Sequence, residues 1–229
     1  MPRSHRFVRL VALSAGVALL AGLSSRPAGA QGITFTPFVG SFYSFSKYFD
    51  SDIDLSNFGG SGTANFTMEQ TNTVAFGARL AFPIGATLSL EGEGTYSSSE
   101  VRFTGTEAFA PGVDLSTNLK GSVVTASLRG VYRPRRSNLN LIAGVAMVSH
   151  GGEAWDFDTN DKLTNIGGVL GFGLRTAVTP KFALNITAEA FLYSFDPDES
   201  NDTANGFFDS KMQSDLIVSI GIPIQLSGR

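Results

Sequence analysis

The stretch KFALNITAEAFLYSF, residues 181–195, alternates strictly between two kinds of side chain and is the best guide to the fold. Its second parity carries Asn185, Thr187 and Glu189. Because successive side chains of a strand point to opposite faces, the stretch predicts a β-strand with one apolar and one mixed face. Its length is what a tilted strand needs to cross a bilayer. The uniformly apolar parity consists of Phe182, Leu184, Ile186, Ala188, Ala190 and Leu192.

The same unit occurs eight times after residue 31, and the connections between units alternate between long and short. Long polar segments follow the first, third, fifth and seventh units, and tight turns follow the second, fourth and sixth. This order predicts an all-β chain that folds as an eight-stranded antiparallel up-and-down β-barrel, with four long loops on one rim and three short turns on the other. The predicted strands are 33–46, 72–82, 87–102, 119–133, 139–150, 163–178, 181–195 and 211–226.

Residues 1–30 have the composition of a cleaved secretory signal peptide. Three arginines lie within the first nine residues, an apolar core covers 11–23, and Ala28-Gly29-Ala30 forms a small-x-small cleavage pattern. The short core and the cleavage pattern favour a signal peptide over a single membrane anchor. The expected mature chain begins at Gln31, and residues 31–229 form a single transmembrane β-barrel domain.

Charge and composition exclude several classes of protein. The chain has 17 basic and 20 acidic residues, and the predicted leader removes four arginines and no acid, so the mature part has a net charge of −7. Nucleic acid is therefore not an expected partner, because phosphate binding needs a basic surface. The absence of cysteine excludes disulfides and thiol chemistry. No apolar run after the leader approaches 18 residues, so a membrane-spanning fold would have to be a closed barrel.

The charged residues within the strands decide which face meets lipid. Seven charged residues that lie away from the strand ends are on the face opposite the aliphatic one, and the rest of that face is mainly Gly, Ala, Ser and Thr. A soluble, lipocalin-like barrel would instead carry a water-facing surface rich in Lys and Glu. Small residues with a few charges suit the narrow lumen of an eight-stranded transmembrane barrel. The charges are Arg79, Glu91, Glu93, Arg129, Arg175, Glu189 and Asp215.

Because buried charges are tolerated only when paired, these seven residues predict a lumen ion network that joins three arginines to four carboxylates. Two functions are compatible with such a network. It is either a structural plug that holds the barrel together or the gate of a narrow, porin-like channel for small solutes. The small diameter of an eight-stranded barrel favours the plug.

Aromatic residues concentrate near the predicted strand ends, which indicates interfacial girdles at both rims of a membrane barrel. Those by the short turns are Phe35, Phe82, Tyr132 and Phe182. Those toward the long loops are Tyr43, Phe45, Tyr96, Tyr193 and Phe195.

With its leader, eight alternating segments, glycine-studded strands such as GGVLGFGLR at 167–175 and predicted lumen charges, the chain resembles the OmpA/OmpX/opacity-type small outer-membrane β-barrel proteins. The resemblance implies the outer membrane of a Gram-negative bacterium, with long loops extracellular and short turns periplasmic. Outer-membrane lipid and lipopolysaccharide are then the surroundings, and an extracellular ligand would bind the loops. The expected role is structural or surface-interacting and not enzymatic. The uninterrupted apolar face predicts a monomer.

Some outer-membrane barrels are enzymes that trim lipid A, so a lipid-modifying enzyme is a third function to test against the sequence. The lipid A deacylase family uses a His-x-Ser-Asn arrangement, and the single histidine after residue 30 is His150, in the sequence Ser149-His150-Gly151-Gly152. Glycine stands at position 152 where the serine nucleophile would be needed. The sequence therefore predicts no enzyme, and it predicts that His150 is solvated at the rim.

The long loops are acidic but lack the pattern of a metal site. Asp50, Asp52 and Asp54 form one cluster, and residues 156–161 form another. Neither has the sixth-position Gly and twelfth-position Glu of a calcium-binding EF-hand loop. We therefore expect solvated, mobile loops, with no resident metal and no cofactor. The alternative is weak binding of divalent ions that bridge the loops to lipopolysaccharide phosphates.

Overall fold

The computed structural model describes residues 32–54, 63–106, 115–135, 137–155, 164–179, 182–195 and 211–226. The predicted signal peptide, the acidic run 156–161 and the loop 196–209 lie outside these residues. The described residues form eleven strands and one 3-10 turn at Glu153–Trp155. The strands are β1 (Thr34–Ser44), β2 (Phe49–Asp54), β3 (Thr63–Gln70), β4 (Thr73–Pro83), β5 (Leu88–Thr106), β6 (Leu115–Tyr132), β7 (Leu139–Gly151), β8 (Thr164–Thr179), β9 (Phe182–Phe195), β10 (Lys211–Gly221) and β11 (Ile224–Gln225).

Eight of these strands close into the predicted antiparallel barrel. β4 to β9 each pair with the next strand in the chain, and β1 pairs with both β4 and β10, which closes the sheet. The observed barrel strands begin and end within a few residues of the predicted ones. The eighth predicted strand is interrupted between Gly221 and Ile224, where Pro223 lacks the N–H that a continuous ladder would need. Its last part, β11, pairs with Thr34 and Phe35 at the start of β1.

The first of the long polar loops, predicted at residues 47–70, contains two strands in its described part. Strands β2 and β3 pair in this segment as a hairpin, and β3 also pairs with the end of β5. The alternation within TANFTMEQ, residues 63–70, is short and half polar, so it gives a weaker pattern than the barrel strands do. Strand β5 extends to Thr106, and its partner β6 begins at Leu115, so these strands also exceed their predicted bounds.

The apolar face of the barrel points outward and the mixed face points into the lumen. On β7, Ile142, Ala146 and Val148 are buried, whereas Val145 between them is 61% exposed. On β8, Val169 is fully buried and Ile166 is 77% exposed. A continuous exposed band of large aliphatic side chains is expected of a barrel that meets lipid and not of one that meets water. None of the helices among the described residues is long and apolar enough to cross a membrane.

Most of the predicted girdle residues face outward, but two do not. Phe45, Phe82, Tyr96, Tyr132 and Phe182 are exposed, and Phe35 and Tyr43 are partly exposed. The side chains of Tyr193 and Phe195 are only 2% and 3% exposed, because they share the lumen-facing parity of Glu189 on β9. Their assignment to the girdle is therefore wrong, and both belong to the interior.

Candidate functional site in the barrel lumen

A group of five charged side chains crosses the middle of the lumen. Arg79 of β4 reaches Glu93 of β5 at 2.6 Å (Nε to Oε2) and Glu189 of β9 at 3.2 Å (Nη2 to Oε2). Arg129 of β6 reaches Glu91 Oε1 at 2.5 Å and Glu93 Oε2 at 2.8 Å, both from Nη2. Its Nη1 lies 2.7 Å from Glu189 Oε1. No side chain of the five is more than 6% exposed. We call this group the five-residue ion network.

Strand register explains why these residues meet. Arg79 lies directly opposite Glu93 in the β4–β5 pair, and Glu91 lies opposite Arg129 in the β5–β6 pair. Glu189 reaches the two arginines across the lumen from β9. Arg79 is held further by hydrogen bonds from its Nη2 to Thr187 Oγ1 and Ser219 Oγ, both at 2.7 Å. The network thus ties the first half of the barrel to the second half.

Two of the seven residues assigned to the ion network lie outside it. Arg175 shares the lumen-facing parity, but it lies four residues beyond Gly171, the partner of Glu189, which is roughly 13 Å along the strand. Its side chain is exposed toward the short-turn rim, and within the described part of the chain it makes no ion pair. Asp215 lies one lumen-facing row nearer the long loops, where Tyr193 is its hydrogen-bond donor.

A second polar cluster lies between the ion network and the long-loop rim. Tyr193 donates a hydrogen bond to Asp215 Oδ2 at 2.7 Å, and its hydroxyl lies 3.2 Å from His150 Nε2. The hydroxyl of Tyr48 lies 2.9 Å from the same His150 nitrogen. Tyr48 also donates to Gln70 Oε1 at 2.6 Å.

The same chain of hydrogen bonds ends at Ser99, whose Oγ accepts from Gln70 Nε2 at 2.7 Å. The six residues joined by these hydrogen bonds, which we call the Tyr-His cluster, are all buried, and burial raises the pKa of the Tyr48 hydroxyl well above its ordinary value. Tyr48 therefore stays protonated and remains a donor. The cluster consists of Tyr48, Gln70, Ser99, His150, Tyr193 and Asp215.

The prediction that His150 is solvated at the rim is wrong. Its side chain is 1% exposed, and its ring packs against Tyr48, Trp155 and Phe195 with centroid distances of 5.2, 4.9 and 5.6 Å. Tyr48 lies between β1 and β2, and Trp155 lies in the 3-10 turn after β7. Two connecting segments thus each insert one aromatic side chain into the long-loop mouth. The alternating pattern of the strands does not predict either side chain, because both lie outside the strands.

The Tyr-His cluster predicts a measurable loss in Tyr193→Phe. The change removes the donor to Asp215 and leaves a buried carboxylate without that bond, so the free energy of unfolding should fall by about 1.5 kcal/mol. Urea unfolding of the protein in detergent micelles measures the effect. Tyr132→Phe is the matched control, because Tyr132 is exposed on the outer face and its change should stay within about 0.5 kcal/mol. Equal stability of the two variants would contradict the role of the Tyr193 hydroxyl.

The lumen widens into a cavity of about 730 Å³ at the short-turn end. Ser89, Arg133, Asn138 and Arg175 are among the polar residues that line it. Backbone hydrogen bonds fix this rim, from Arg133 N to Thr87 O at 2.7 Å and from Arg175 N to Asn138 O at 2.9 Å. Nowhere in the described residues do three or more His, Cys, Asp or Glu side chains form a group suited to a metal ion.

Several solved structures of outer-membrane proteins are similar to this chain. No curated protein matches the chain. Among solved structures, OprG from Pseudomonas aeruginosa is 11% identical with a TM-score of 0.46, and 86% of this chain and 98% of that chain are covered. Neisserial surface protein A is 14% identical with a TM-score of 0.45, covering 86% and 99%. The outer membrane protein AlkL is 15% identical with a TM-score of 0.48, covering 90% and 96%.

The family model described as "Outer membrane protein beta-barrel domain" matches residues 15–208, which is most of the chain. This match agrees with the closed eight-stranded barrel and its outward apolar face. The chain therefore belongs to the outer membrane protein β-barrel domain family.

Proposed function

We propose that this protein is a small, non-enzymatic outer-membrane barrel whose lumen is plugged and whose role is structural or surface-interacting. The observation that carries the proposal is the five-residue ion network, which spans the lumen with five ion contacts of 2.5–3.2 Å between nearly fully buried side chains. A solute that crosses the barrel would have to separate these charges. Buried charges without partners are costly, so the closed arrangement is strongly favoured.

The Tyr-His cluster and the aromatic rings that pack on it support the proposal, because they form a second closure nearer the long-loop rim. Tyr48, His150, Trp155 and Phe195 pack as a continuous set of rings with centroid distances of 4.9–5.7 Å. Such packing excludes water and favours a fixed arrangement of the rings. Two layers of different chemistry therefore close the lumen of the proposed plug.

The contacts of His150 support the non-enzymatic part of the proposal. Its Nε2 lies within hydrogen-bonding distance of two tyrosine hydroxyls, those of Tyr48 and Tyr193. Ser149 belongs to the other face of β7 and pairs through its hydroxyl with Thr164 Oγ1 at 3.1 Å. A nucleophile, a base and an orienting carboxylate in mutual reach would be needed for hydrolysis.

The proposal includes export through the predicted signal peptide 1–30 to the outer membrane of a Gram-negative bacterium. There the monomeric barrel would be surrounded by lipid and lipopolysaccharide, and its acidic long loops would meet an extracellular ligand. Asp50 and Asp52 on the β2–β3 hairpin give part of this surface its negative charge. The contacts of the network and of the Tyr-His cluster do not depend on which ligand binds outside.

Conductance in planar bilayers tests the plug. We expect the mature protein to show a mobility shift between boiled and unboiled samples on a denaturing gel, and no stepwise conductance from the same unboiled preparation. The shift is the control that a folded barrel was added. Stable conductance steps from the folded protein would overturn the plug and favour a narrow channel, for which the short-turn cavity would be the inner vestibule.

A further inference from the structure

The short-turn end of the barrel carries an excess of positive charge. The five-residue ion network contains two arginines and three glutamates, so it has one carboxylate more than it has guanidinium groups. Arg133, the residue after β6, lies close enough to Glu91 to offset that excess. Arg175 then remains as a cation with no carboxylate to balance it among the described residues of this end. The sequence has no aspartate or glutamate at 80–90, 130–140 or 173–186.

Arg133 and Arg175 line the same cavity, and the positive charge of Arg175 disfavours that of Arg133. The pKa of Arg133 is lowered from its ordinary value, first by burial and then by the positive charge of Arg175. An anion between the two guanidinium groups would relieve this repulsion. Planar guanidinium groups are well suited to bind carboxylate and phosphate oxygens in pairs.

The wall of the cavity adds neutral hydrogen-bonding groups to the two cations. Thr87 and Asn138 line it beside Arg133 and Arg175, and none of the described residues that line it carries a carboxylate. Its volume of about 730 Å³ falls within the ~300–1,000 Å³ typical of ligand pockets. The long-loop end differs, because carboxylates such as Asp50, Glu69 and Glu100 lie there beside its cations.

We propose that the short-turn cavity is a binding site for a phosphate-type oxyanion, held by Arg133 and Arg175 with help from Thr87 and Asn138. The same chemistry would accept inorganic phosphate or the headgroup of an anionic phospholipid in the adjacent leaflet. The site lies below the five-residue ion network, so it does not require solute to pass the lumen. It goes beyond the plug function and is compatible with it.

Calorimetric titration of inorganic phosphate into the full mature protein in an uncharged detergent tests the site. We expect saturable binding that weakens by about tenfold or more in Arg175→Gln, because a charge-assisted contact is lost. Arg133→Gln should weaken binding in the same direction. Arg102→Gln is the matched control, since Arg102 lies at the long-loop end in an exposed pair with Glu69 and should leave phosphate affinity unchanged.

Nanodiscs separate the two sources of the oxyanion. If a lipid headgroup occupies the site, phosphatidylglycerol in the disc should lower the apparent affinity of wild-type protein for inorganic phosphate relative to phosphatidylcholine alone. If a free ion occupies it, the two discs should give the same affinity. Each variant is first shown to be folded by its unboiled mobility. An absence of saturable phosphate binding by the wild type, or equal affinity in wild type and Arg175→Gln, would overturn the proposal.

Discussion

Arg129→Ala is expected to destabilise the barrel by about 3–5 kcal/mol, the range measured when one partner of a buried ion pair is removed. The Arg129 guanidinium contacts Glu91, Glu93 and Glu189, and no other residue of the network contacts all three. After the substitution, Arg79 would be the one arginine left in the five-residue ion network beside three buried carboxylates. The loss should appear as a lower urea midpoint in detergent micelles and a lower temperature for the loss of the unboiled gel mobility.

Two further variants identify the source of that loss. Arg102→Ala removes an arginine from an exposed pair at 3.3 Å with Glu69, and its cost should be no more than about 1 kcal/mol. Adding Glu189→Gln to Arg129→Ala removes one of the buried carboxylate charges that has lost Arg129 as a partner, so it should restore part of the stability. If Arg129→Ala unfolds at the same urea concentration as Arg102→Ala, the five-residue ion network does not stabilise the barrel.

Arg129→Ala also tests whether the five-residue ion network blocks the lumen. Shortening Arg129 to alanine opens space beside the carboxylates, so water and small cations should enter the lumen of any fraction that remains folded. We therefore expect Arg129→Ala to show weak, cation-favouring conductance where the wild type shows none. A folded Arg129→Ala protein that stays silent in planar bilayers would mean that the Tyr-His cluster alone is sufficient to close the lumen.

The second large effect is expected for Gly144→Ala, because a methyl group at this position would collide with the network's own backbone. A Cβ built on Gly144 would lie 2.6 Å from both Cα and Cβ of Arg129 on the neighbouring strand. These atoms cannot move away without shifting the strand that holds Arg129 in place. Overpacking of this kind usually costs 1–3 kcal/mol, and we expect about 3 kcal/mol or more here.

Gly92→Ala is the matched control for this substitution. It lies on β5 between Glu91 and Glu93, but its Cβ would point outward, where no atom lies within 4 Å. Its urea midpoint should therefore equal or slightly exceed that of the wild type, since alanine restricts the unfolded chain. A Gly144→Ala protein as stable as Gly92→Ala would show that the two strands can separate by several tenths of an ångström at no cost.

The position of each strand and the facing of its side chains are determined by the local sequence. Residues 181–195 alternate strictly, and β9 forms at Phe182–Phe195 with Glu189 inside and Leu192 outside. The two-residue period of a strand assigns each side chain to a face without any knowledge of its neighbours. The same rule places Tyr193 and Phe195 inside, since they share the parity of Glu189.

The position of a residue along the barrel axis, in contrast to its face, does not follow from the local pattern. Arg129 and Arg175 have equivalent lumen-facing parity, yet one lies in the five-residue ion network and the other lines the short-turn cavity. Which rows meet depends on the stagger between strands around the closed sheet, and stagger follows from the whole set of pairings. The seven charges of the predicted network therefore lie in three places: five in the ion network, Asp215 in the Tyr-His cluster and Arg175 at the short-turn cavity.

The two-residue period also does not predict which side chains of the connecting segments enter the barrel. Tyr48 and Trp155 have no alternating neighbours that indicate where their rings go, and both enter the mouth of the barrel to pack on His150. The sequence by itself determined the eight strands, the closed barrel and the face on which each charge lies, because these follow from a local two-residue period. Only the tertiary structure decided which charges touch, that His150 is buried and that the first long connection contains a hairpin, because contacts between distant segments depend on strand stagger and on the space left in the lumen.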